Sequence, residues 1–399
     1  MPASTPFISS ATASKVEPVP ILDLKRQYES IKEEVAAAIE RVLTIQYFIG
    51  GPELEAFERE SAAYLGASAC VGCSSGTDAL WLALAAAGVK PGDRAITPPF
   101  TFFASASSIT RCGATPVFAD IDPATFNLDP TAVDKVLSDG KPVRAIMPVH
   151  LYGQCADMDA FSAIACQHNL AIVEDAAQGF GASWQGKKAG AMGTVAAFSF
   201  YPTKNLSAYG DGGGVTTNDG EIADHVRRLR NHGSQHRYYH EEIGWNCRLD
   251  ALQAAVLRVK LKHIDRWNQQ RRAVAQKYDE LFRASGLVKT DATTVDAQAP
   301  VALLGRRPEA HHIYHQYVVR AHRRDELRTF LAPRSIGTEI YYPVPLHLQQ
   351  SFAYLGYKPR DLPESERAAA ESLALPIFPE LREDEQQRVV AGISEFYSR

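Results

Sequence analysis

Lys204 sits in the run Phe198-Ser-Phe-Tyr-Pro-Thr-Lys-Asn-Leu-Ser-Ala-Tyr-Gly-Asp-Gly-Gly-Gly-Val-Thr-Thr-Asn218. An apolar stretch, Val195 to Phe200, reads as a buried strand that breaks at Tyr201-Pro202, because proline has no amide to give a ladder and holds its predecessor extended. Lys204 follows, and then glycines at 210, 212, 213 and 214. Desolvation at such a place lowers the pKa of an amine, and a neutral amine forms a Schiff base with a carbonyl compound. An isolated lysine is ordinarily a solvated surface residue, so the rest of the chain has to carry the assignment.

The partners of Schiff-base chemistry are specific. A phosphate-bearing pyridine aldehyde, pyridoxal phosphate, needs amides at a helix start and hydroxyls for its phosphate. It needs a carboxylate for its ring nitrogen, an aromatic face for the ring, and a lysine for the aldehyde. Gly76 and Thr77 open a helix straight after a strand, beside Ser74 and Ser75. Asp175 ends a strand in Val-Glu-Asp-Ala-Ala-Gln, where it suits the ring nitrogen or a helix cap, with Glu174 as a competitor. Phe102, in Pro-Phe-Thr-Phe-Phe, either stacks on the ring or packs in the core. Ser199 is placed to reach the phosphate.

The elements that would hold these residues alternate. Apolar positions spaced by four give helices over Ile31–Leu43 and from about Glu53 to Leu65. Strands are expected at Ala69–Cys73, Arg94–Thr97, Pro116–Asp120, Val143–Val149, Ala171–Val173, Val195–Phe200 and Val215–Thr217. Helices are expected at Ala79–Ala87, Ala104–Arg111, Thr131–Leu137, Met158–His168 and Gly220–Asn231. Repeated strand–helix units with apolar strands predict an α/β fold, a mostly parallel mixed sheet flanked by helices. In such sheets ligands sit at the carboxyl ends of strands, where the candidate residues lie. A long helical stretch at 249–283, a linker-like region at 284–310, strands at Tyr314–Val319 and Glu339–Tyr342, and helices at Arg324–Leu331 and Glu364–Leu373 predict a smaller α+β C-terminal domain. The expected division is a mobile tail over 1–19, a large cofactor-binding domain over 20–265 and a small domain over 266–399.

Composition sets the frame. The 399 residues are 45% hydrophobic and 22% charged with net charge −4, which is globular and carries no basic field for nucleic acid or an anionic membrane. No stretch has the apolar length of a spanning helix. The N-terminal residues lack a signal-peptide pattern. Six cysteines, at 70, 73, 112, 155, 166 and 247, are sparse for this length and point to a reducing cytoplasm. Cys70 and Cys73 form a lone C-x-x-C on an expected strand and read as buried core thiols. His232, His236 and His240 share a helical spacing that suits metal ligands, but Gly233 and Ser234 favour a loop, and no metal is expected. Gly210 to Gly214 lacks the spacing of a dinucleotide fingerprint. Ser199 has no base partner for hydrolysis.

Six motifs then occur in order: Ser75-Gly-Thr-Asp-Ala-Leu80, Thr97-Pro-Pro-Phe-Thr-Phe102, Glu174-Asp-Ala-Ala-Gln178, Ser199-Phe-Tyr-Pro-Thr-Lys-Asn-Leu206, Gly210-Asp-Gly-Gly213 and Asn246-Cys-Arg-Leu-Asp-Ala-Leu-Gln-Ala254. Together, from about Ile21 to the end, the chain resembles the DegT/StrS family of pyridoxal-phosphate sugar aminotransferases. The resemblance implies fold type I and a homodimer with shared active sites. Lys204 would carry the internal aldimine, Asp175 would meet the ring nitrogen, and Gln178 would contact the ring hydroxyl. Phe102 would stack on the ring. Gly76, Thr77 and Ser199 would hold the phosphate, with Asn246 reaching it from the other subunit. Arg248 and the segment Tyr341-Tyr-Pro-Val-Pro-Leu-His-Leu-Gln349, with Tyr341, Tyr342 and His347, resemble the contacts to a nucleotide sugar. The implied reaction is ping-pong transfer of an amino group from an amino acid, glutamate being the expected donor, to a nucleotide-linked ketosugar. Two residues depart from the pattern: Ser207 stands where glycine is usual, and Tyr341 where many members carry histidine. A dehydratase or lyase on the same fold and a cofactor-binding regulator without turnover are the alternatives. Relatives that dehydrate replace the lysine with histidine, so Lys204 argues for transamination.

Overall fold

A computed structural model describes residues 17–289 and 293–399. The chain opens with helices α1 (Leu24–Glu29), α2 (Lys32–Ile45) and α3 (Gly51–Leu65). Strand–helix alternation follows: β1 (Ala69–Cys73), α4 (Gly76–Ala86), β2 (Arg94–Thr97), α5 (Phe103–Arg111), β3 (Thr115–Phe118), α6 (Pro130–Leu137), β4 (Ala145–Ile146), α7 (Met158–His168) and β5 (Ala171–Asp175). Two short strands, β6 (Ser183–Trp184) and β7 (Lys187–Lys188), precede β8 (Val195–Ser199), β9 (Gly213–Thr217) and α8 (Gly220–Leu229). The remainder is α9 (Ala251–Leu261), α10 (Ile264–Ser285), β10 (Val301–Leu303), β11 (Ala310–His311), β12 (Tyr317–Ala321), α11 (Arg324–Leu331), α12 (Pro363–Glu371), β13 (Ser372–Leu375) and α13 (Glu383–Tyr397).

The main sheet has seven strands in the order β1-β9-β8-β5-β4-β2-β3. Only β9 runs against its neighbours, so the sheet is mixed but mostly parallel. Its strands are apolar because helices cover both faces. Phe198 and Ile146 belong to one cluster, Val173 and Val195 to another. The strand order brings the carboxyl ends of β1, β2, β5 and β8 to one edge of the sheet. Gly213 begins β9 against Ser199 on one side and Cys73 on the other. A Cβ there would collide with the Ser75 carbonyl, so glycine is what lets β9 start tight behind the entrance to α4.

The second layer system is the antiparallel sheet β10-β12-β13, packed by α10, α11 and α13 around Tyr278, Val319, Leu373 and Ile393. Val19 and Leu22 join that cluster from the far end of the sequence. Val19 pairs with Ile336, donating to the Ser335 carbonyl at 2.8 Å and accepting from Gly337 N at 2.8 Å. Most of the expected tail, residues 1–16, lies outside the described residues, but Val19 is a buried, hydrogen-bonded part of the C-terminal core. Leu22, expected in the large domain, packs there too.

Other boundaries shift for identifiable reasons. The expected strand 143–149 shrinks to β4 with one bridge at Val149, because Pro148 has no amide to donate. The expected helix 249–283 is two helices. At the joint Lys262 and His263 make tighter i→i−3 bonds to Val259 and Lys260, and neither proline nor glycine marks the break. The strand expected from Tyr314 begins at Tyr317, since Tyr314 takes a positive φ of 49°. Residues 339–342 make only the bridge Glu339–Ala374 and turn away as a loop. Ser372 and Leu373, expected in a helix, start β13 instead. Region 284–310, expected to be a loop, contributes β10 and the start of β11. Helix α13 was not anticipated. Cys70 and Cys73 are buried free thiols, as the strand pattern predicts.

Candidate active site

At the carboxyl edge of the main sheet lies a cavity of about 610 Å³ whose walls include Lys204, Asp175, Gln178, Ser199, Gly76 and Thr77. They arrive on the first turn of α4, on the end of β5 and the loop after it, and on the end of β8 and the turn after it. The lysine sits in the turn after β8, where its amide donates to the Tyr201 carbonyl at 2.8 Å. Desolvation drives its pKa down to about 8, and the negative charge of Asp175 keeps it from falling further.

Asp175 ends β5 and is buried. Its Oδ2 accepts from Ser105 Oγ at 2.7 Å and its Oδ1 from Ala177 N at 3.2 Å. Burial nonetheless raises its pKa, against the opposing pull of these bonds and of Lys204. Glu174 points to the other face, as adjacent strand residues must. It accepts from His150 Nε2 at 2.9 Å and from the amides of Gly190, Met192 and Gly193. Ala156 N donates to His150 Nδ1 at 3.2 Å, so the imidazole proton is on Nε2. Glu174 is thus a satisfied structural carboxylate, and of these two neighbours it is Asp175 that lines the cavity.

Helix α4 begins at Gly76 because Ser75 caps it, accepting from Asp78 N at 3.1 Å. The amides of Gly76 and Thr77 lie in the first turn, where a helix has no internal acceptors. Gly76 is packed against Ser199: a Cβ would lie 2.5 Å from the serine Cβ. The glycine therefore brings the helix start and the Ser199 side chain together.

Gln178 is pinned at both ends, its Oε1 accepting from Tyr152 N at 2.6 Å and its Nε2 donating to Tyr342 Oη at 3.1 Å. Phe102 is 56% exposed and caps α5, with its ring centroid 6.1 Å from that of Tyr342. It faces the cavity instead of the core. Tyr341 and Tyr342 form the wall beside it, and Tyr152 Oη donates to the Tyr341 carbonyl.

Three expected residues lie elsewhere in this chain. Asn246 is exposed and pairs with Asn231. Arg248 donates to Asn231 Oδ1 at 3.2 Å and lines a second cavity, of about 450 Å³, with Arg227, Arg228 and Arg230. His347 is 1% exposed, its Nε2 3.2 Å from Glu366 Oε1, and it does not line the cavity. Sequence reasoning missed Ser105, His150, Asn205 and His315. Ser105 lies three residues past Phe102, in the first turn of α5, and that offset was the available signal. The other three depend on tertiary contacts and left none. Among the described residues no cluster of histidine, cysteine, aspartate and glutamate is arranged to hold a metal.

The chain is similar to known proteins over nearly its whole length. It is 50% identical over 380 residues to a "Pleiotropic regulatory protein" of Geobacillus stearothermophilus, covering 95% of this chain and 98% of that one. It is 46% identical over 383 residues to the dTDP-3-amino-3,4,6-trideoxy-alpha-D-glucose transaminase of Streptomyces venezuelae, covering 96% and 97%. The crystal structure of S. venezuelae DesV in complex with a ketimine intermediate superposes with a TM-score of 0.90 at 44% identity, covering 96% of this chain and 100% of that one. A family profile matches residues 29–394, and the chain belongs to the DegT/DnrJ/EryC1/StrS aminotransferase family.

Proposed function

We propose that the protein is a pyridoxal-phosphate-dependent aminotransferase that moves an amino group from an amino acid, glutamate being the expected donor, to the keto group of a nucleotide-diphosphate-linked sugar. The observation that carries this reading is the meeting of Lys204 and Asp175 with the capped start of α4 in one cavity. That donor set fits the cofactor. The amides of Gly76 and Thr77 and the Ser199 hydroxyl suit a phosphate, the Asp175 carboxylate suits a protonated pyridine nitrogen, and Phe102 offers a free aromatic face. Gln178 suits the ring hydroxyl. When bound, the cofactor supplies a sink for the electrons left on a carbon that gives up its proton.

The residues of the chain do the rest. Ser105 and Ala177 hold the Asp175 carboxylate in place. Tyr152 and Tyr342 do the same for the Gln178 amide. Lys204, with its pKa lowered to about 8, has an appreciable neutral fraction near neutral pH, so its Nζ takes a proton from the α-carbon of the donor and gives one back. The acceptor sugar receives the amine in the reverse half-reaction, and the kinetics are ping-pong. Phe102, Tyr341 and Tyr342 lie where the sugar would enter. Asn246 and Arg248 act in the other subunit's site of a cytoplasmic homodimer, consistent with their distance from Lys204 within one chain.

The test is Lys204→Ala. The wild-type enzyme should fix cofactor to Lys204 on borohydride reduction; the variant should fix none and lose turnover by about a thousandfold or more. A reducible protein–cofactor bond persisting in the variant would overturn the assignment. A cofactor-binding regulator is the second reading, favoured by the name of the Geobacillus relative. It predicts that no amino acid converts the bound cofactor to its amine form.

A further inference from the structure

Asn205 follows Lys204 and turns its side chain away, into a buried network with Asn268 of α10 and His315. The network has one consistent hydrogen-bond assignment. The Phe180 carbonyl can only accept, so Asn268 presents Nδ2 to it, at 3.2 Å. Asn268 Oδ1 then accepts from Asn205 Nδ2 at 2.7 Å, and the same Asn205 Nδ2 lies 3.4 Å from the Ile313 carbonyl. Two acceptors therefore hold the Asn205 amide, and its Oδ1 is what faces His315 Nδ1 at 3.1 Å. His315 Nδ1 must carry the proton. Its Nε2 is a bare lone pair, on a ring that lines the same cavity as Lys204.

The ring is held as well as oriented. Arg271 Nη1 donates to the main-chain carbonyls of Tyr314, His315 and Ile377, at 3.2, 3.3 and 3.1 Å. Burial, then the charges of Lys204 and Arg271, push the pKa of His315 well below the ordinary histidine value. Burial and these neighbouring cations both disfavour the imidazolium form. The other titratable groups lining this cavity are the carboxylates of Asp175 and Asp211 and the phenols of Tyr201, Tyr341 and Tyr342; burial raises the pKa values of Asp175, Tyr341 and Tyr342.

We propose that His315 is a positioning residue for Lys204: tied at Nδ1–H to Asn205, it offers Nε2 as the acceptor that holds the lysine ammonium whenever Lys204 is free of the cofactor. The held ammonium stays within the cavity between its two proton transfers instead of turning toward solvent. The interaction favours the charged lysine, so it raises the Lys204 pKa against the desolvation that lowers it. The inference rests on the reading of Lys204 as the cofactor-bearing base.

The experiment uses enzyme loaded with pyridoxamine phosphate, in which Lys204 is free. The pH dependence of Lys204 acetylation by acetic anhydride is followed by peptide mass spectrometry in wild type, His315→Asn and His315→Gln. Asparagine keeps a donor for Asn205 and removes the group at the Nε2 position; glutamine returns an acceptor there. In the Asn variant the neutral fraction of Lys204 at pH 7, and with it the labelling rate, should rise roughly three- to fivefold, as a fall of about half to one pKa unit from about 8 gives. The Gln variant should return to within about twofold of wild type. A purely structural role would leave both Lys204 profiles at their wild-type position, and that result, or an Asn and a Gln variant that behave alike, overturns the proposal. Borohydride reduction of the pyridoxal-phosphate form separates the two levels. Cofactor fixed to Lys204 in all three proteins with an unmoved profile sinks only the His315 role; cofactor fixed to a different lysine sinks the reading beneath it.

Discussion

Burial lowers the pKa of Lys188, Lys204 and Lys260, and the two that fall furthest, Lys204 and Lys260, have quite different surroundings. Lys204 falls to about 8 and Lys260 to about 7, both through burial. Lys260, on α9, is 1% exposed, donates to Ser207 Oγ at 2.8 Å, and lies 4.3 Å over the ring of Tyr209. A hydroxyl and an aromatic face ease its burial, and none of its contacts is a carboxylate. Lys204 opens on a cavity that Asp175 also lines, close enough for its charge to act on the lysine. The more perturbed lysine is thus the one without access to a ligand. Perturbation alone does not mark chemistry, since packing produces it too; a cavity and a facing charge do. Both lysines act on the same turn, because Ser207 and Tyr209 follow Lys204 and Lys260 grips them from behind.

The largest effect that distinguishes these environments should come from Asp175→Asn, which removes the charge facing Lys204. The conversion of cofactor to its amine form, followed by absorbance in a single turnover, should slow by about 10²–10³-fold. Stability should move the other way in the cofactor-free protein. Burial raises the Asp175 pKa, so folding disfavours its ionised form, and stability falls as pH rises through that folded pKa. Above it the Asn variant is relieved of that cost and should melt at or above the wild-type temperature. A loss of stability at pH 7 together with unimpaired conversion would contradict the role given to Asp175.

Lys260→Met is the matching change on the other side. Turnover should stay within about tenfold of wild type, against the thousandfold loss expected for Lys204→Ala. The clearer signature is in stability against pH. Between about pH 7 and the ordinary lysine value of 10.5 the unfolded chain keeps the Lys260 proton that the folded chain has released. Unfolding takes up a proton in that window, so stability rises with pH across it. Methionine removes that contribution, and urea midpoints measured from pH 6 to 10 should show a shallower slope. Loss of turnover as deep as that of Lys204→Ala would erase the distinction between the two lysines.

What sequence could show divides along the same line. The strand–turn–lysine pattern at Val195–Lys204, the cap at Ser75 and the carboxylate at Asp175 are local, and their types and spacing point to the cavity before any contact is known. The choice between Glu174 and Asp175 was not local. Which of them lines the cavity depends on the face of β5 each residue takes, and Glu174 is occupied by His150 and three amides. Lys260 and His315 are silent in sequence, because their partners Ser207 and Asn205 are 53 and 110 residues away. The break after Leu261 was unreadable for a related reason: the tight turn at Lys262 and His263 is made by ordinary helix-compatible residues. The C-terminal core had the same difficulty, since Val19 joins it only through pairing with Ile336.

The smallest expected effect concerns the contact behind the turn. Ser207→Ala removes the one hydroxyl that accepts from Lys260 Nζ and leaves a buried amine without that partner. An unsatisfied buried donor costs about 1–3 kcal/mol, which urea unfolding can resolve. Because Ser207 Oγ does not line the cavity, cofactor fixation to Lys204 by borohydride should be complete. The cost belongs to the pair and not to the serine, so in a Lys260→Met background the same Ser207→Ala change should cost no more than about 0.5 kcal/mol. A full cost in that background would mean that Ser207 is held by its backbone and packing alone, and that Lys260 contributes nothing to the turn that carries Lys204.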